Sequence, residues 1–188
     1  MRYILASKSP RRRELLSEII DNFEIITAEV DESLPSDIHP KCGVEILAVR
    51  KGEAVARANP DAVVISSDTL VELSGIPLGK PRDEAEAVSM LKNLSGKAHN
   101  VHTGVAVHLG GRVFSGVAST AVYFRDMADG EIKEYVASGD PMDKAGSYGI
   151  QSGGGKFVEK IEGDYDTVVG LSLRLVKKIL SGIEKELD

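Results

Sequence analysis

Between Val101 and Phe124 the chain carries one alternating pattern folded about a glycine pair, and this limits its architecture more than any other feature. Val101, Thr103, Val105, Val107 and Leu109 alternate with smaller or polar residues, Gly110-Gly111 follows, and RVFSGVASTAVYF runs on beyond it. Alternation at period two on both sides of a two-residue glycine turn predicts a long antiparallel hairpin. A central ribbon of this kind rules out an all-parallel, doubly wound sheet. Helical segments on either side make the class mixed α/β.

The flanking segments read in turn. RYILA (2–6) is a short buried strand. Ser9-Pro10 opens a helix to about Ile20, because serine suits the N-cap and proline the first helical position. A short strand near 23–27 precedes an acidic, proline-containing loop over 28–39. A long helix covers 41–58 and stops at Asn59-Pro60. AVVISS (62–67) is a buried strand, and LVEL with IPL forms a small hairpin around Ser74-Gly75. Asp83 and Glu86 stand at capping-box spacing for a helix over 83–93. Another helix lies near 128–138, residues 144–163 are glycine-rich and irregular, and an amphipathic helix spans about 171–187.

At 188 residues the chain is long enough to bury a core without staples, as one domain or two small lobes. Its 42% hydrophobic and 28% charged residues argue against disorder. No apolar run approaches the roughly 20 residues of a membrane span. The five-residue apolar stretch in MRYILASKSPRRR is too short for a signal peptide, and the expected compartment is the cytoplasm. Cys42 is the sole cysteine, which leaves no internal disulfide and no cysteine-based zinc site. A net charge of −6, few aromatics and no basic stripe past residue 13 argue against a nucleic-acid binder. The basic corner at Arg2, Lys8, Arg11, Arg12 and Arg13 points instead to a small anionic ligand.

Five places could carry chemistry. Ser7-Lys8-Ser9-Pro10-Arg11-Arg12 is a strand–loop–helix junction whose arginines oppose the helix dipole. An anion on the helix end would explain them; a solvated basic face is the alternative. Lys51 interrupts the apolar stripe Leu47, Ala48, Ala54, Val55 and Ala58. It either snorkels out or points at a negative partner, and a methionine there would suit the stripe. Asp68 follows AVVISS at an expected strand end, where α/β sheets place ligands. Turn or capping duty is the alternative, and capping fits poorly before a further strand. Glu29, Asp31 and Glu32 are candidate partners for holding a hard cation. Lys80, in Gly79-Lys80-Pro81, could reach a phosphate or be an exposed turn lysine. Gln151, in KAGSYGIQ before Ser152-Gly-Gly-Gly155, offers donor and acceptor to a nucleobase edge; a flexible connector is the alternative. No Walker A or G-x-G-x-x-G loop is present. His39, His99, His102 and His108 lack ligand spacing and read as structural or surface residues.

ASKSPRR, SSDTLV, GKPRDEAEA, HNVHTGV and DKAGSYGIQ occur in this order. Together they closely resemble the Maf family of nucleoside triphosphate pyrophosphatases, also called septum-formation-inhibitor-like proteins, over about residues 3–175. The resemblance implies a mixed sheet with flanking helices, related to the inosine triphosphate pyrophosphatases, with two lobes around a cleft in one domain over 1–188. It implies cleavage between the α and β phosphates with a divalent metal, Mg²⁺ or Mn²⁺. Asp68 matches the proposed general base. Arg11, Thr69 and Gln151 match the positions that distinguish the branch acting on dTTP and UTP. Ser7, Ser9, Arg12, Lys51 and Lys80 match polar positions at the phosphate end. Glu32 matches an acidic segment near the metal, so Glu32 and Asp68 are the expected metal ligands. A homodimer is a further expectation from resemblance. Thr167 and Ser172 depart from the family's usual Asn and Pro. The competing class is a nucleotide-sensing regulator of cell division that needs no turnover.

Overall fold

The computed structural model describes residues 1–35 and 37–187. Seven strands form one mixed sheet in the order β2-β1-β3-β5-β6-β7, with β4 paired to β3. They are β1 Tyr3–Leu5, β2 Glu24–Ile25, β3 Val63–Leu73, β4 Ile76–Leu78, β5 Ala98–Leu109, β6 Arg112–Phe124 and β7 Val158–Glu162. The helices are α1 Pro10–Ser17, α2 Pro40–Ala56, α3 Glu84–Leu94, α4 Asp129–Ala137, α5 Tyr165–Val169 and α6 Leu173–Leu187. Among the described residues no helix is long and apolar enough to cross a membrane.

The chain divides into two compact units, 1–69 with 103–118 and 170–188, and 70–102 with 119–169. In the first, β1 runs parallel to both β2 and β3, with Tyr3 opposite Val63 and Leu5 opposite Ile65. Ile4, Ala6, Val55, Ala62 and Val64 make one of its cores. The predicted hairpin is present, and Gly110 and Gly111 turn it at φ of 55° and 77°, which a side chain would strain. Two glycines let α2 lie directly on the strands. A Cβ on Gly104 would run into the Val44 carbonyl, and one on Gly52 into Ser66 Oγ and the His108 ring. Ser66 Oγ also donates to the Ala48 carbonyl at 2.7 Å, which locks the helix to β3.

In the second unit β3 continues to Leu73 and turns through Ser74 and Gly75, both at positive φ, into β4. Asp83 caps α3 as expected, its Oδ1 accepting the Glu86 N–H at 2.8 Å. Leu91, Leu94, Ile132, Phe124 and Phe157 fill a core that includes His99, Phe124 and Tyr148 in edge-on contact.

Three expectations are corrected. Asp68 does not end its strand, since β3 runs unbroken through it. What ends there is the buried run: Val63 to Ser67 are buried, and Asp68, Thr69 and Leu70 are half-buried. The glycine-rich stretch 144–163 is not irregular throughout: it holds two 3₁₀ turns, Ala145–Ser147 and Gly153–Phe157, followed by β7, which pairs antiparallel with β6. The C-terminal helix is preceded by a separate short helix, α5. Ser172, in place of the family's usual proline, begins α6: its Oγ accepts the Leu175 N–H and its carbonyl accepts the Val176 N–H.

Candidate active site

The first unit gathers most of the candidate residues around β3. Side chains alternate along a strand, so Ser66 and Asp68 face one way and Ser67 and Thr69 the other. Ser66 is bonded to α2 at Ala48, and Lys51 stands one helical turn further on. Its Nζ lies 2.6 Å from Asp68 Oδ1 and 3.0 Å from Glu32 Oε1. Lys51 and Asp68 side chains are 18% and 14% exposed, whereas Glu32 is 61% exposed. The lysine in the apolar stripe therefore does not snorkel; it points at a negative partner.

The loop carrying Glu32 is held by a residue that sequence reasoning missed. Arg50 Nη1 donates to the carbonyls of Asp31 and Ser33 at 3.1 and 2.7 Å. Asp31 turns away from Lys51 and accepts from the N–H and Oγ of Ser33, which holds its carboxyl below the ordinary value. Glu29 is exposed. Of the three acids proposed as partners, Glu32 is the one the structure brings to Lys51.

On the other side of β3, Arg12 is a clamp. Its Nε donates to the Gly170 carbonyl at 2.8 Å, Nη1 to the Ser67 carbonyl at 2.8 Å and to Ser7 Oγ at 3.3 Å, and Nη2 to Thr69 Oγ1 at 3.3 Å. Burial lowers the pKa of this guanidinium, and the Asp68 charge opposes that shift. Thr69 Oγ1 also lies 2.9 Å from Thr103 Oγ1, and Ser67 Oγ donates to Gly170. Ser9 is the N-cap of α1, accepting the Arg12 N–H, and Ser7 Oγ accepts the Ser9 N–H. The basic corner thus disperses. Arg2 pairs with Glu24, Arg12 turns inward, Arg11 is half-buried, and Lys8 and Arg13 are exposed.

Lys80 and Gln151 belong to the second unit, and both are exposed. Their segments are tied together, because the Gly146 N–H donates to the Gly79 carbonyl at 3.0 Å. The loop before Gln151 is held by Asp140. Its Oδ2 accepts from Tyr135 Oη and from Ser152 Oγ, each at 2.6 Å, and its Oδ1 accepts from Lys144 Nζ at 3.0 Å. Tyr135 Oη in turn accepts the Gly149 N–H at 3.1 Å. Gln151 is therefore an exposed amide on a fixed loop.

The histidines lie apart from the Lys51 cluster. His99, His102 and His108 are buried, and His39 caps α2 through Nδ1. Among the described residues no group of three or more His, Cys, Asp or Glu could hold a metal ion by itself. The carboxylates of Glu32 and Asp68 both contact the Lys51 ammonium.

A family model for Maf-like proteins matches residues 2–183. A Moorella thermoacetica protein named dTTP/UTP pyrophosphatase is 49% identical over 95% of this chain and 93% of its own length. A Bacillus cereus protein of the same name is 48% identical over 94% of the chain and 93% of its own length. One from Bacillus pumilus is 45% identical over 94% of each chain. Among solved structures, the Staphylococcus aureus Ham1 protein superposes with a TM-score of 0.52 at 16% identity, over 99% of this chain and 100% of that one. At that identity the likeness speaks for the fold alone, and it agrees with the mixed α/β fold expected. A match over nearly the whole length, with all five sequence blocks in place, means that this chain belongs to the Maf family.

Proposed function

We propose that this chain is a nucleoside triphosphate pyrophosphatase acting on dTTP and UTP, and on modified pyrimidine triphosphates of the same shape, with monophosphate and pyrophosphate as products. The observation that carries this reading is the identity of 45–49%, over nearly full length, to relatives bearing the name dTTP/UTP pyrophosphatase. The carboxylate–lysine–carboxylate cluster supports it. The binding-only regulator has no such support from the names of the relatives.

Asp68 is the base in this reading. Lys51 engages Oδ1, and Oδ2 has no hydrogen bond among the described residues, so Oδ2 is free to orient a water and take its proton. Lys51, held between two carboxylates, is placed to follow the charge of a triphosphate. Lys80 is an exposed cation for the leaving pyrophosphate. Ser7 and Ser9 are polar contacts for the phosphates, and Arg11, with Thr69 and Gln151, belongs to the positions that distinguish dTTP and UTP. Arg12 acts mainly by fixing Thr69 and the Gly170 turn.

The residues fit a divalent ion on the chemistry of their donors. Mg²⁺ takes one or two carboxylates and completes its shell with water and substrate phosphates, and Glu32 with Asp68 is such a pair. A bound ion would supply charge neutralisation at the phosphates and lower the pKa of a nearby water. Turnover on a panel of canonical and modified triphosphates, with pyrophosphate and orthophosphate measured separately, tests the reading. Pyrophosphate from dTTP and UTP is expected; orthophosphate as first product, or ATP and GTP turned over as fast, overturns it.

A further inference from the structure

The second unit contains a hydrogen-bonded row that the pyrophosphatase reading leaves unused. Glu72 on β3, His102 on β5 and Ser119 on β6 lie side by side. His102 Nε2 is 2.8 Å from Glu72 Oε2, and His102 Nδ1 is 2.7 Å from Ser119 Oγ. Glu72 and His102 are 8% and 5% exposed, while the serine is exposed. The second carboxylate oxygen of Glu72 accepts the Gly75 N–H at 3.2 Å, so the β3–β4 turn fixes the acid.

Chemistry sets the direction of this row. An ionised carboxylate only accepts, so the imidazole presents Nε2–H to Glu72. A ring with its single proton on Nε2 carries its lone pair on Nδ1, where the Ser119 hydroxyl can donate to it. A hydroxyl on a base, with the base oriented by a third group, is the arrangement that activates a serine. The burial runs the right way, since the acid and the ring are shielded and the hydroxyl faces water. Ser115, on the same strand, offers a contrast. It is exposed too, but it donates to Glu45 Oε1 at 2.7 Å and has no histidine behind it.

We propose that Ser119 is an activated serine that accepts an acyl group from small activated carboxylic esters. The Oγ attacks the ester carbonyl carbon and its proton moves to Nδ1 of His102. The new bond is Oγ–C, and the bond that breaks joins that carbon to the leaving oxygen. The departing alkoxide takes the proton back from Nδ1, leaving O-acyl Ser119 and the free alcohol. Glu72 stabilises the imidazolium between the two transfers.

The test treats the full chain with p-nitrophenyl acetate and locates acetyl groups by peptide mass spectrometry. Acetylation at Ser119 is expected to exceed that at Ser115 by about 100-fold, the lower end of a general-base contribution. Ser119→Ala should remove the fast release of nitrophenolate, with melting temperature and dTTP turnover unchanged. His102→Gln should bring Ser119 down to the rate of Ser115. Equal acetylation of the two serines, or a fast release that survives Ser119→Ala, overturns the proposal. The comparison within the unsubstituted chain decides the matter even if His102→Gln does not fold.

Discussion

Lys51 Nζ lies 2.6 Å from Asp68 Oδ1, and this contact ties the only lysine in the apolar stripe of α2 to the carboxylate where the buried run of β3 ends. Both groups are largely shielded, so removing one leaves the other without its nearest opposite charge. Replacing the carboxylate and replacing the ammonium are expected to divide differently between chemistry and folding.

Asp68→Asn keeps the shape and removes the carboxylate proposed as the base. Turnover of dTTP should fall by about 100- to 10,000-fold, the range of a lost general base. The melting temperature should change little, because the amide oxygen still accepts from Lys51. Pyrophosphate release and thermal unfolding on the same preparation check both parts, and near-normal kcat would remove Asp68 from the catalytic role.

Lys51→Met has a different expected outcome from the one that sequence alone gave. In the stripe a methionine looked harmless. With the ammonium gone, Asp68 and Glu32 lose the one cation that contacts both, and Asp68 is mostly shielded from water. A loss of about 1–3 kcal/mol in stability is expected, together with weaker triphosphate binding. Urea unfolding at pH 7 measures the first and KM the second. A variant more stable than the parent would contradict the ion-pair account.

Gly104→Ala tests whether the seat of α2 positions Lys51. The added methyl meets the Val44 backbone, which cannot rotate away. A loss of about 2 kcal/mol or more is expected, as for overpacking a well-filled core. Catalysis should fall with it, although residue 104 itself carries no chemistry. Gly130→Ala, in α4 with nothing within 4 Å of the new carbon, is the control and should be neutral to mildly stabilising. Equal melting temperatures for the two variants would refute the close-approach argument.

Burial pushes the His99 pKa down from 6.5 to about 4, and its Nδ1 has no partner. The folded chain therefore keeps the ring neutral where the unfolded chain protonates it. Below pH 6.5 the unfolded state binds more protons, so stability falls as the pH drops towards 4. Relative to pH 7, about 2 kcal/mol should be lost at pH 5 through this group. His108 shifts in the same direction, also chiefly through burial. Urea midpoints for the parent and His99→Gln at both pH values isolate the effect, since glutamine does not titrate. An equal drop in both proteins would acquit His99.

Much of this was legible beforehand where local chemistry decides structure. The glycine pair turned the hairpin, Ser9-Pro10 and Asp83 capped their helices, and Lys51 stood out because a cation in an apolar stripe needs a reason. Other features had no local trace. Arg12 and Arg50 act through main-chain carbonyls far away in sequence, and a carbonyl has no residue identity to read. Strand β7 was hidden because VEKIE is short and follows glycines, and α5 because it has five residues. Asp68 was placed at a strand end because its neighbours change from apolar to polar. Backbone pairing continues past that change.

In the proposed function Gln151 selects the base, and Asp140 bonds to three residues around its loop. A pyrimidine presents a carbonyl beside a ring N–H, and one primary amide matches both. Gln151→Glu would put a carboxylate against the carbonyl and leave that oxygen unpaired. An unpaired group of this kind costs about 1–3 kcal/mol, which is roughly 5- to 150-fold in discrimination. The loss should appear in the ratio of kcat/KM for dTTP over GTP, with phosphate-end binding, read by pyrophosphate inhibition, nearly constant. Asp140→Ala should reproduce part of this loss from a distance. It releases Tyr135, Ser152 and Lys144 together, so the loop keeps Gln151 but no longer fixes its position. Asp140→Ala combined with Gln151→Glu should then lose little more discrimination than Gln151→Glu alone, because the two changes disable the same contact. Full additivity of the two effects would show that Asp140 acts elsewhere, and an unchanged dTTP to GTP ratio in Gln151→Glu would remove the amide from base recognition altogether.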